Sequence, residues 1–147
     1  MGKKDKTPRN KAVPAGKSPR IGLDPDDANR QTPVWSICRF DHDGPWGQGS
    51  FANSDVLRGT IYPAMKSYET MTWNEILQNR KYNHSVPAIR LITEAQHRLA
   101  DLRLDDYEEV FRFRVGGTGR VWGIRDGRVF LILWWDPDHL ICPSTID

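Results

Sequence analysis

Residues 110–135 read VFRFRVGGTGRVWGIRDGRVFLILWW, and this stretch decides the fold. Apolar and aromatic residues fill three short runs, which are separated by turn-forming residues at 116–119 and 126–127. Asp-Gly is a strong signal for a two-residue hairpin, because both central positions of that turn take positive φ. We therefore predict three antiparallel strands joined as a meander, over residues 110–115, 120–125 and 128–135.

Alternation along these strands predicts two different faces of the sheet. If both hairpins close on two-residue loops, Phe113 lies opposite Trp122, which in turn lies opposite Leu131. This face is apolar throughout and predicts the surface on which the helices pack. Its remaining members are Phe111, Ile124 and Val129.

The other face combines arginines, starting with Arg112 and Arg114, with large apolar side chains. Arginine beside exposed aromatic rings suits a phosphate backbone and stacked bases. The alternative is a solvated outer face on which arginine stems cover the rings. On the first interpretation, the nucleic-acid-binding residues of the sheet are Arg125, Arg128 and Trp134.

A long amphipathic helix is predicted to precede the meander. Apolar residues recur at three- and four-residue spacing from Ala88 to Leu102, which places them on one stripe. We expect this helix to begin near Ser85, with Pro87 in its first turn, where the missing N–H costs nothing.

Two shorter helices and one strand are predicted upstream. A helix over residues 54–69 should be kinked or shortened at Pro63. Thr72 and Glu75 fit a capping box, in which each side chain satisfies a free backbone N–H, and this second helix should end near residue 80. Residues 34–40, rich in β-forming side chains, predict the first strand.

The N-terminal segment differs in charge from the rest of the chain. The first 20 residues carry seven basic side chains and one acidic one, whereas the other 127 carry 14 basic and 18 acidic side chains. Few apolar residues lie among the prolines of residues 1–32, so we expect a disordered leader. Its lysines could contact RNA by releasing counterions, or serve only for solubility. The predicted contact residues are Lys3, Lys4 and Lys6.

Together these elements predict an α+β fold. We expect an N-terminal strand and helices packed on an antiparallel meander sheet of three to four strands, in one domain over residues 33–147. No apolar run approaches the 18 to 20 residues of a membrane span, and no secretory signal is visible at the start of the sequence. We therefore expect a cytoplasmic protein that does not enter membranes.

The order of elements resembles that of the RelE/ParE toxin superfamily of bacterial toxin–antitoxin modules. More narrowly, residues 72–144 resemble ParE-like proteins of largely uncharacterised function. The motifs that carry this resemblance are MTWNEI (71–76), AQHRL (95–99), RVWGIR (120–125) and LWWDPDH (133–139).

The resemblance implies a metal-independent endoribonuclease that cuts messenger RNA on the ribosome and is held by an antitoxin protein. Arg112, Arg114 and Arg120 match the basic positions of that pattern, and His139 matches a histidine or tyrosine near the end of the last strand. Arg114 and Arg120 would stabilise phosphate charge, and His139 would act as a general acid or base. A strict two-residue loop places Arg120 on the opposite face from Arg112, and only a bulge within 116–119 would bring the arginines together.

Two alternatives stay open at this stage. The same fold could serve as a non-catalytic module that binds nucleic acid or protein, because a fold alone does not choose an activity. The pairs Cys38/His42 and His139/Cys142 have spacings seen in zinc sites, but isolated pairs of this kind are usually coincidental. We therefore expect no metal and no cofactor.

Overall fold

A computed structural model describes residues 25–47 and 54–143 of the chain. Five strands form one mixed sheet in the order β1-β5-β4-β3-β2, with β1 parallel to β5 and every other pair antiparallel. The strands are β1 (Val34–Ser36), β2 (His84–Pro87), β3 (Glu109–Val115), β4 (Gly119–Asp126) and β5 (Val129–Asp136).

Helices pack on both faces of this sheet. They are α1 (Pro25–Asn29), α2 (Ser54–Val56), a π-helical turn (Leu57–Ile61), α3 (Tyr62–Glu69), α4 (Trp73–Gln78), a 3₁₀ turn (Ala88–Arg90) and α5 (Thr93–Asp101). The α+β class and the three-strand meander are thereby confirmed. The expectation of a wholly antiparallel sheet of three to four strands was wrong, because β2 joins one edge and β1 pairs in parallel at the other.

The strand β2 replaces the predicted start of the long helix. His84 to Pro87 pair with β3, and Val86 is only 3% exposed in the core. This burial outweighs the helix preference of the segment, and Pro87, as the last residue of an edge strand, costs little there. The apolar stripe still forms a helix, but it begins at Thr93 and buries Ala95 and Leu99.

The π-helical turn lies immediately before α3. The Tyr62 N–H donates to the Leu57 carbonyl oxygen, five residues earlier, and Pro63 occupies the first turn of α3. A proline ring clashes with the carbonyl four residues before it in an α-helix, so a wider turn accommodates it. Pro63 was predicted to kink or shorten the helix. In the structure the helical segment continues through this position, and its type changes from π-helical to α-helical there.

Thr72 is the N-cap of α4, as predicted, but of the two bonds of a capping box the structure shows only the one to Thr72, and the Glu75 carboxylate accepts the Thr72 hydroxyl at 3.3 Å. The Glu75 N–H donates to Thr72 Oγ1 at 3.3 Å, and Thr72 has the extended backbone typical of an N-cap. The helix ends at Gln78, two residues before the predicted end.

The first hairpin has a three-residue loop, and this changes the register of the meander. Val115 pairs with Gly119, and Gly116 takes a φ of +70°, which favours glycine. Phe113 therefore lies opposite Val121, and the predicted pairing of Phe113 with Trp122 was wrong. The pairing of β3 with β4 is thus shifted by one residue from the predicted pairing. Because side chains alternate between the two faces, residues of β3 and β4 that were predicted on the same face lie on opposite faces.

The second hairpin also differs from the prediction: Asp126 pairs with Val129, so the loop is residues 127–128, and the predicted pairing of Trp122 with Leu131 was wrong. A bulge in β5 adds to this difference. Trp122 pairs with Trp134, whereas Gly123 pairs with Ile132, so Leu133 is an extra residue on β5. A Cβ on Gly123 would lie 2.1 Å from the Leu131 carbonyl oxygen, which explains why glycine occupies this position. The bulge directs both Leu133 and Trp134 to the same face.

Each face of the sheet has its own core. We call the side covered by α5 the α5 face; its buried members include Ala95, Leu99, Trp122, Leu133 and Trp134. We call the side covered by α3 and α4 the α3–α4 face; its buried members include Met65, Trp73, Phe111, Phe113 and Phe130.

Candidate functional site

The site is centred on Arg112, which lies in the middle of β3 on the α5 face. The pairing of β2 with β3 sets His84 directly opposite Arg112, and Arg112 Nε donates to His84 Nε2 at 3.2 Å. Arg112 Nη1 lies 2.5 Å from His139 Nε2. One guanidinium group, itself only 4% exposed, thus bridges two imidazole rings.

The hydrogen bonds of His84 assign its tautomer. Its Nδ1 lies 2.7 Å from the carbonyl oxygen of Arg80, which can only accept, so Nδ1 carries the hydrogen. Nε2 is then the acceptor for Arg112 Nε. Both ring nitrogens of His84 are therefore fixed by neighbours on the chain.

His139 reaches Arg112 through a tight turn that Asp136 organises. The Asp136 carboxylate, which is fully buried, accepts the Leu140 and Ile141 N–H groups at 2.9 Å each and the Trp122 Nε1–H at 3.3 Å. His139 has a φ of +56°, an uncommon conformation that persists only where the surroundings fix it. Because a guanidinium N–H can only donate, His139 Nε2 is the acceptor in its contact with Arg112.

Arg114 stands two residues from Arg112 on the same face. Its guanidinium lies over the Tyr82 ring at 4.2 Å, and its Nε donates to the Gly116 carbonyl oxygen at 3.1 Å. Within residues 25–47 and 54–143, its two terminal amino groups have no hydrogen-bond partner. The group is thus positioned by its neighbours while its fork of donors stays available to an oxyanion.

Arg120 completes the arginine cluster because the three-residue loop sets it opposite Arg114. The three arginines therefore share a face through a loop one residue longer than predicted, and not through the bulge that the sequence analysis required. Arg120 Nη1 donates to the Gly117 and Gly119 carbonyl oxygens at 3.2 and 2.9 Å, so this side chain also holds the hairpin loop.

A buried polar network fixes the end of β3 that carries Arg114. The Tyr68 hydroxyl donates to the Arg114 carbonyl oxygen at 2.7 Å, and Asn83 Oδ1 accepts the Arg114 N–H at 3.0 Å. Burial raises the pKa of Tyr68 above its ordinary value, against the lowering effects of its bond with Asn83 and of the nearby Arg114 and Arg120 charges. The hydroxyl therefore stays protonated and works as a structural donor.

The remaining predicted nucleic-acid residues lie elsewhere. Trp134 is fully buried and its Nε1–H donates to Asp41 Oδ2 at 3.0 Å, so the expectation of an exposed stacking ring was wrong. Trp134 lies in the core of the α5 face, whereas Phe130 of the same predicted outer face lies in the core of the α3–α4 face.

Arg125 and Arg128 hold the segment that precedes β1. Arg125 lies over the Trp73 ring at 4.3 Å on the α3–α4 face and donates to Asn29 Oδ1, and burial lowers its pKa. Arg128 Nε donates to the Thr32 carbonyl oxygen at 3.1 Å. These contacts order residues 25–32, which the sequence placed in the disordered leader. Lys3, Lys4 and Lys6 lie outside the described residues.

The described ranges hold no group of three His, Cys, Asp or Glu side chains arranged to bind a metal ion. The pairs Cys38/His42 and His139/Cys142, which were left open as an alternative, are not among such groups in the described ranges.

Comparison with protein-family models, with curated proteins and with solved structures finds no match to this chain. The resemblance to the RelE/ParE superfamily accordingly rests on the sequence motifs and on the order of elements.

Two members of the site were missed in the sequence. His84 and Tyr82 precede the segment predicted as the start of a helix, so nothing placed them beside β3. The alternation of His84 with Val86 is a weak signal for a strand, and it was hidden by the stronger helical stripe that follows.

Proposed function

We propose that this chain is a toxin-type protein that cleaves RNA without a metal ion, at a site built from Arg112, His84 and His139. The observation that carries the proposal is the single guanidinium that bridges two imidazoles, with the open fork of Arg114 beside it. RNA cleavage by attack of the 2′-hydroxyl on the adjacent phosphorus uses a general base, a general acid and a positive charge beside the phosphate. Two histidines and a fixed arginine can supply all three.

Binding of a phosphate would change the hydrogen bonds of the cluster. Phosphate oxygens are stronger acceptors for Arg112 than imidazole nitrogens are, because they carry negative charge. When Arg112 turns its donors to the phosphate, the Nε2 lone pairs of His84 and His139 are released. Arg114 would hold the same phosphate through its terminal amino groups, and Arg120 would add positive charge behind it.

The two histidines then divide the proton transfers. One neutral imidazole accepts the proton of the 2′-hydroxyl as its oxygen attacks phosphorus. The other, in its protonated form, gives its proton to the 5′-oxygen as the P–O bond breaks. The products are a 2′,3′-cyclic phosphate and a 5′-hydroxyl, and the arginines stabilise the charge that develops on the phosphoryl oxygens.

The resemblance to RelE/ParE toxins supports messenger RNA on the ribosome as the substrate, an antitoxin protein as a partner and the cytoplasm as the location. Within the described residues, no helix is both long and apolar enough to cross a bilayer.

The test is induced expression in bacteria, following growth and messenger RNA cleavage together, with purified protein on ribosome-bound and free RNA. His139→Ala and His84→Ala should each lower the cleavage rate by about 10²- to 10⁴-fold, the usual effect of losing a general acid or base. Arg114→Gln should raise the concentration of RNA needed for half-maximal rate.

His97→Ala is the matched control, because His97 is an exposed histidine on α5 outside the cluster. Circular dichroism and thermal melting of every variant separate lost chemistry from lost folding. Wild-type protein that leaves RNA intact on and off the ribosome would refute the nuclease. Growth arrest without RNA cleavage would point to another target, such as DNA gyrase.

A non-catalytic binding module is the second candidate, and one observation favours it. Arg112 is almost fully buried and already occupies the Nε2 atoms of both histidines, as expected if the cluster only holds β2 to the end of β5. RNA binding that weakens with salt, with no cleavage and no effect of His139→Ala on affinity, would support this module.

A further inference from the structure

We infer that Thr118 is a positioning residue of the candidate site, because it ties the loop between β3 and β4 to the turn that carries His139. Its effect on cleavage rests on the proposed function, in which His139 transfers a proton. The bond between the loop and the turn can be tested without any cleavage.

The loop and the turn lie side by side at one end of the sheet. Arg120, near the start of β4, pairs with Asp136, the last residue of β5. A Cβ on Gly119 would lie 2.4 Å from the Trp135 ring and 2.5 Å from the Val115 carbonyl oxygen, so glycine is what allows this close approach. The loop that joins β3 to β4 therefore lies beside the turn that follows β5.

Carbonyl oxygens in and next to this loop hold two arginines of the site. Arg114 Nε donates to the Gly116 carbonyl oxygen at 3.1 Å. Arg120 Nη1 donates to those of Gly117 and Gly119 at 3.2 and 2.9 Å. Because all three acceptors are backbone atoms of one short segment, that segment is the common support of both guanidinium groups.

Thr118 connects this support to the turn that carries His139. Its Oγ1 donates to the Pro137 carbonyl oxygen at 2.7 Å, and Pro137 lies two residues before His139. Proline has no N–H, so this oxygen is the only backbone group of Pro137 that can form a hydrogen bond. One hydroxyl thus links the loop that holds the arginines to the chain that leads into His139.

Bonds from Asp136 hold the other side of the same turn. Its carboxylate accepts the N–H groups of Leu140 and Ile141 at 2.9 Å each. Thr118 therefore fixes the chain before His139, and Asp136 fixes the chain after it. His139 has a φ of +56°, an uncommon conformation that persists where the surroundings fix it, and these bonds do so on both sides.

Loss of the Thr118 hydroxyl would affect the two halves of the site differently. The arginines would keep their bonds to the glycine carbonyl oxygens, whereas His139 would lose one of the contacts that set its distance from Arg112. A displacement of about 1 Å at a reacting group can lower a rate by about 10²-fold. We therefore expect a lower kcat with KM unchanged, the opposite of the effect expected for Arg114→Gln.

The test measures cleavage of ribosome-bound messenger RNA by the full-length chain and two variants at Thr118. Thr118→Val removes the hydroxyl at nearly constant volume, and should lower kcat by about 10- to 100-fold and leave KM unchanged. Thr118→Ser keeps the hydroxyl and should restore most of the wild-type kcat.

Thr70→Val is the matched control. Thr70 is also exposed, and its Oγ1 also donates to a carbonyl oxygen at 2.7 Å, that of Ser67. This bond lies at the end of α3, on the other face of the sheet, so its loss should leave kcat unchanged. Equal melting temperatures of the two valine variants would show that a lower kcat does not come from unfolding.

Nuclear magnetic resonance tests the bond between the loop and the turn directly. The ring signals of His139 should shift in Thr118→Val and keep their wild-type positions in Thr118→Ser and Thr70→Val. His97, an exposed histidine on α5, is the internal reference and should not shift in any variant. Unshifted His139 signals in Thr118→Val would refute the positioning role, whereas a wild type that leaves RNA intact would refute the nuclease.

Other results would also overturn the inference. Equal kcat for Thr118→Val and the wild type would mean that the hydroxyl does not position His139. Equal losses of kcat in Thr118→Val and Thr118→Ser would mean that the hydroxyl is not the group that matters. A shift of the His139 signals in a protein without nuclease activity would make Thr118 a contact of the fold alone.

Discussion

The two faces of the sheet bury different kinds of side chain. Among the described residues, the buried charged groups Asp41, Arg112, Arg120 and Asp136 belong to the α5 face or its margins, where tryptophan N–H groups and backbone amides bond the two carboxylates. The α3–α4 face is built on aromatic rings, with Phe113 packed against Trp73 and Phe130 at centroid distances of 5.7 and 4.9 Å.

The difference separates two tasks within one small domain. Aromatic packing removes much apolar area from water and therefore contributes stability. A buried charged group costs free energy unless hydrogen bonds or an opposite charge satisfy it. Such groups therefore fix the geometry of their partners instead of adding stability. The face that holds the candidate site is thus the one whose side-chain positions are specified most tightly.

The largest loss of stability is expected for a substitution on the α3–α4 face. Trp73→Ala removes a fully buried ring and its hydrogen bond to the Arg128 carbonyl oxygen, and should lower the free energy of unfolding by about 3–5 kcal/mol. Urea denaturation measures this change. Tyr62→Ala, on an exposed aromatic residue of the same face, should cost less than about 1 kcal/mol, and equal losses would contradict the comparison.

The next largest loss of stability is expected at Asp41, a buried carboxylate on the α5 face. Arg98 binds both oxygens of Asp41, at 2.5 and 2.9 Å, and this bond raises the pKa of Arg98. Asp41→Asn leaves Arg98 without its main counter-charge and should cost about 2–3 kcal/mol, less than a fully buried pair because Arg98 is partly exposed.

Asp101→Asn provides the control for Asp41, because Asp101 contacts the same arginine at 3.1 Å but is 64% exposed. Its loss should be below about 0.5 kcal/mol by the same denaturation measurement. A loss at Asp101 as large as that at Asp41 would mean that burial does not decide the strength of these bonds.

A smaller effect, with a pH dependence, is expected at Tyr68. Tyr68→Phe removes the hydrogen bond to the Arg114 carbonyl oxygen and should cost about 1 kcal/mol at pH 7. Because burial raises the pKa of Tyr68 in the folded chain, ionisation favours the unfolded chain. The Tyr68 hydroxyl contributes its full stabilisation below pH 10, and this stabilisation is lost as the pH rises further. The difference in free energy of unfolding between the wild type and Tyr68→Phe should therefore narrow above pH 10.

Unfolding curves between pH 7 and pH 11 measure that gap. Tyr107→Phe, on an exposed tyrosine, should stay parallel to the wild type throughout this range. A gap at Tyr68 that widens above pH 10 would show that the pKa is lowered in the folded chain.

The smallest effect is expected at Ile37, which follows the end of β1. Ile37→Ser should change the free energy of unfolding by less than about 0.5 kcal/mol, because the side chain is 75% exposed. A loss above about 1 kcal/mol would mean that Ile37 is part of the core.

Local sequence signals accounted for much of the fold. The β4–β5 hairpin, whose turn lies one residue later than predicted, the N-cap at Thr72 and the apolar stripe through Ala95 and Leu99 each depend on residues close in the chain. The corresponding hairpin and helices were accordingly predicted. The strand β2 was not, because His84 to Pro87 become a strand only by pairing with residues some 25 positions away.

The candidate site also combines features that nearby residues encode with features that depend on distant ones. Sequence alone identified Arg112, Arg114, Arg120 and His139, but the shared face of the three arginines depends on a loop one residue longer than predicted. Successive side chains of a strand point to opposite faces of the sheet. An error of one residue in the pairing of two strands therefore assigns residues of one strand to the wrong face.

By itself the sequence determined the α+β class, the meander and the presence of several arginines in its strands, since these follow from periodicity, turn propensity and composition. Only the tertiary structure decided which face each arginine shares, that Trp134 is buried, and that His84 and His139 meet at one guanidinium. Those relations join residues far apart in the chain, and their energies depend on burial and on hydrogen-bond geometry that no local pattern encodes.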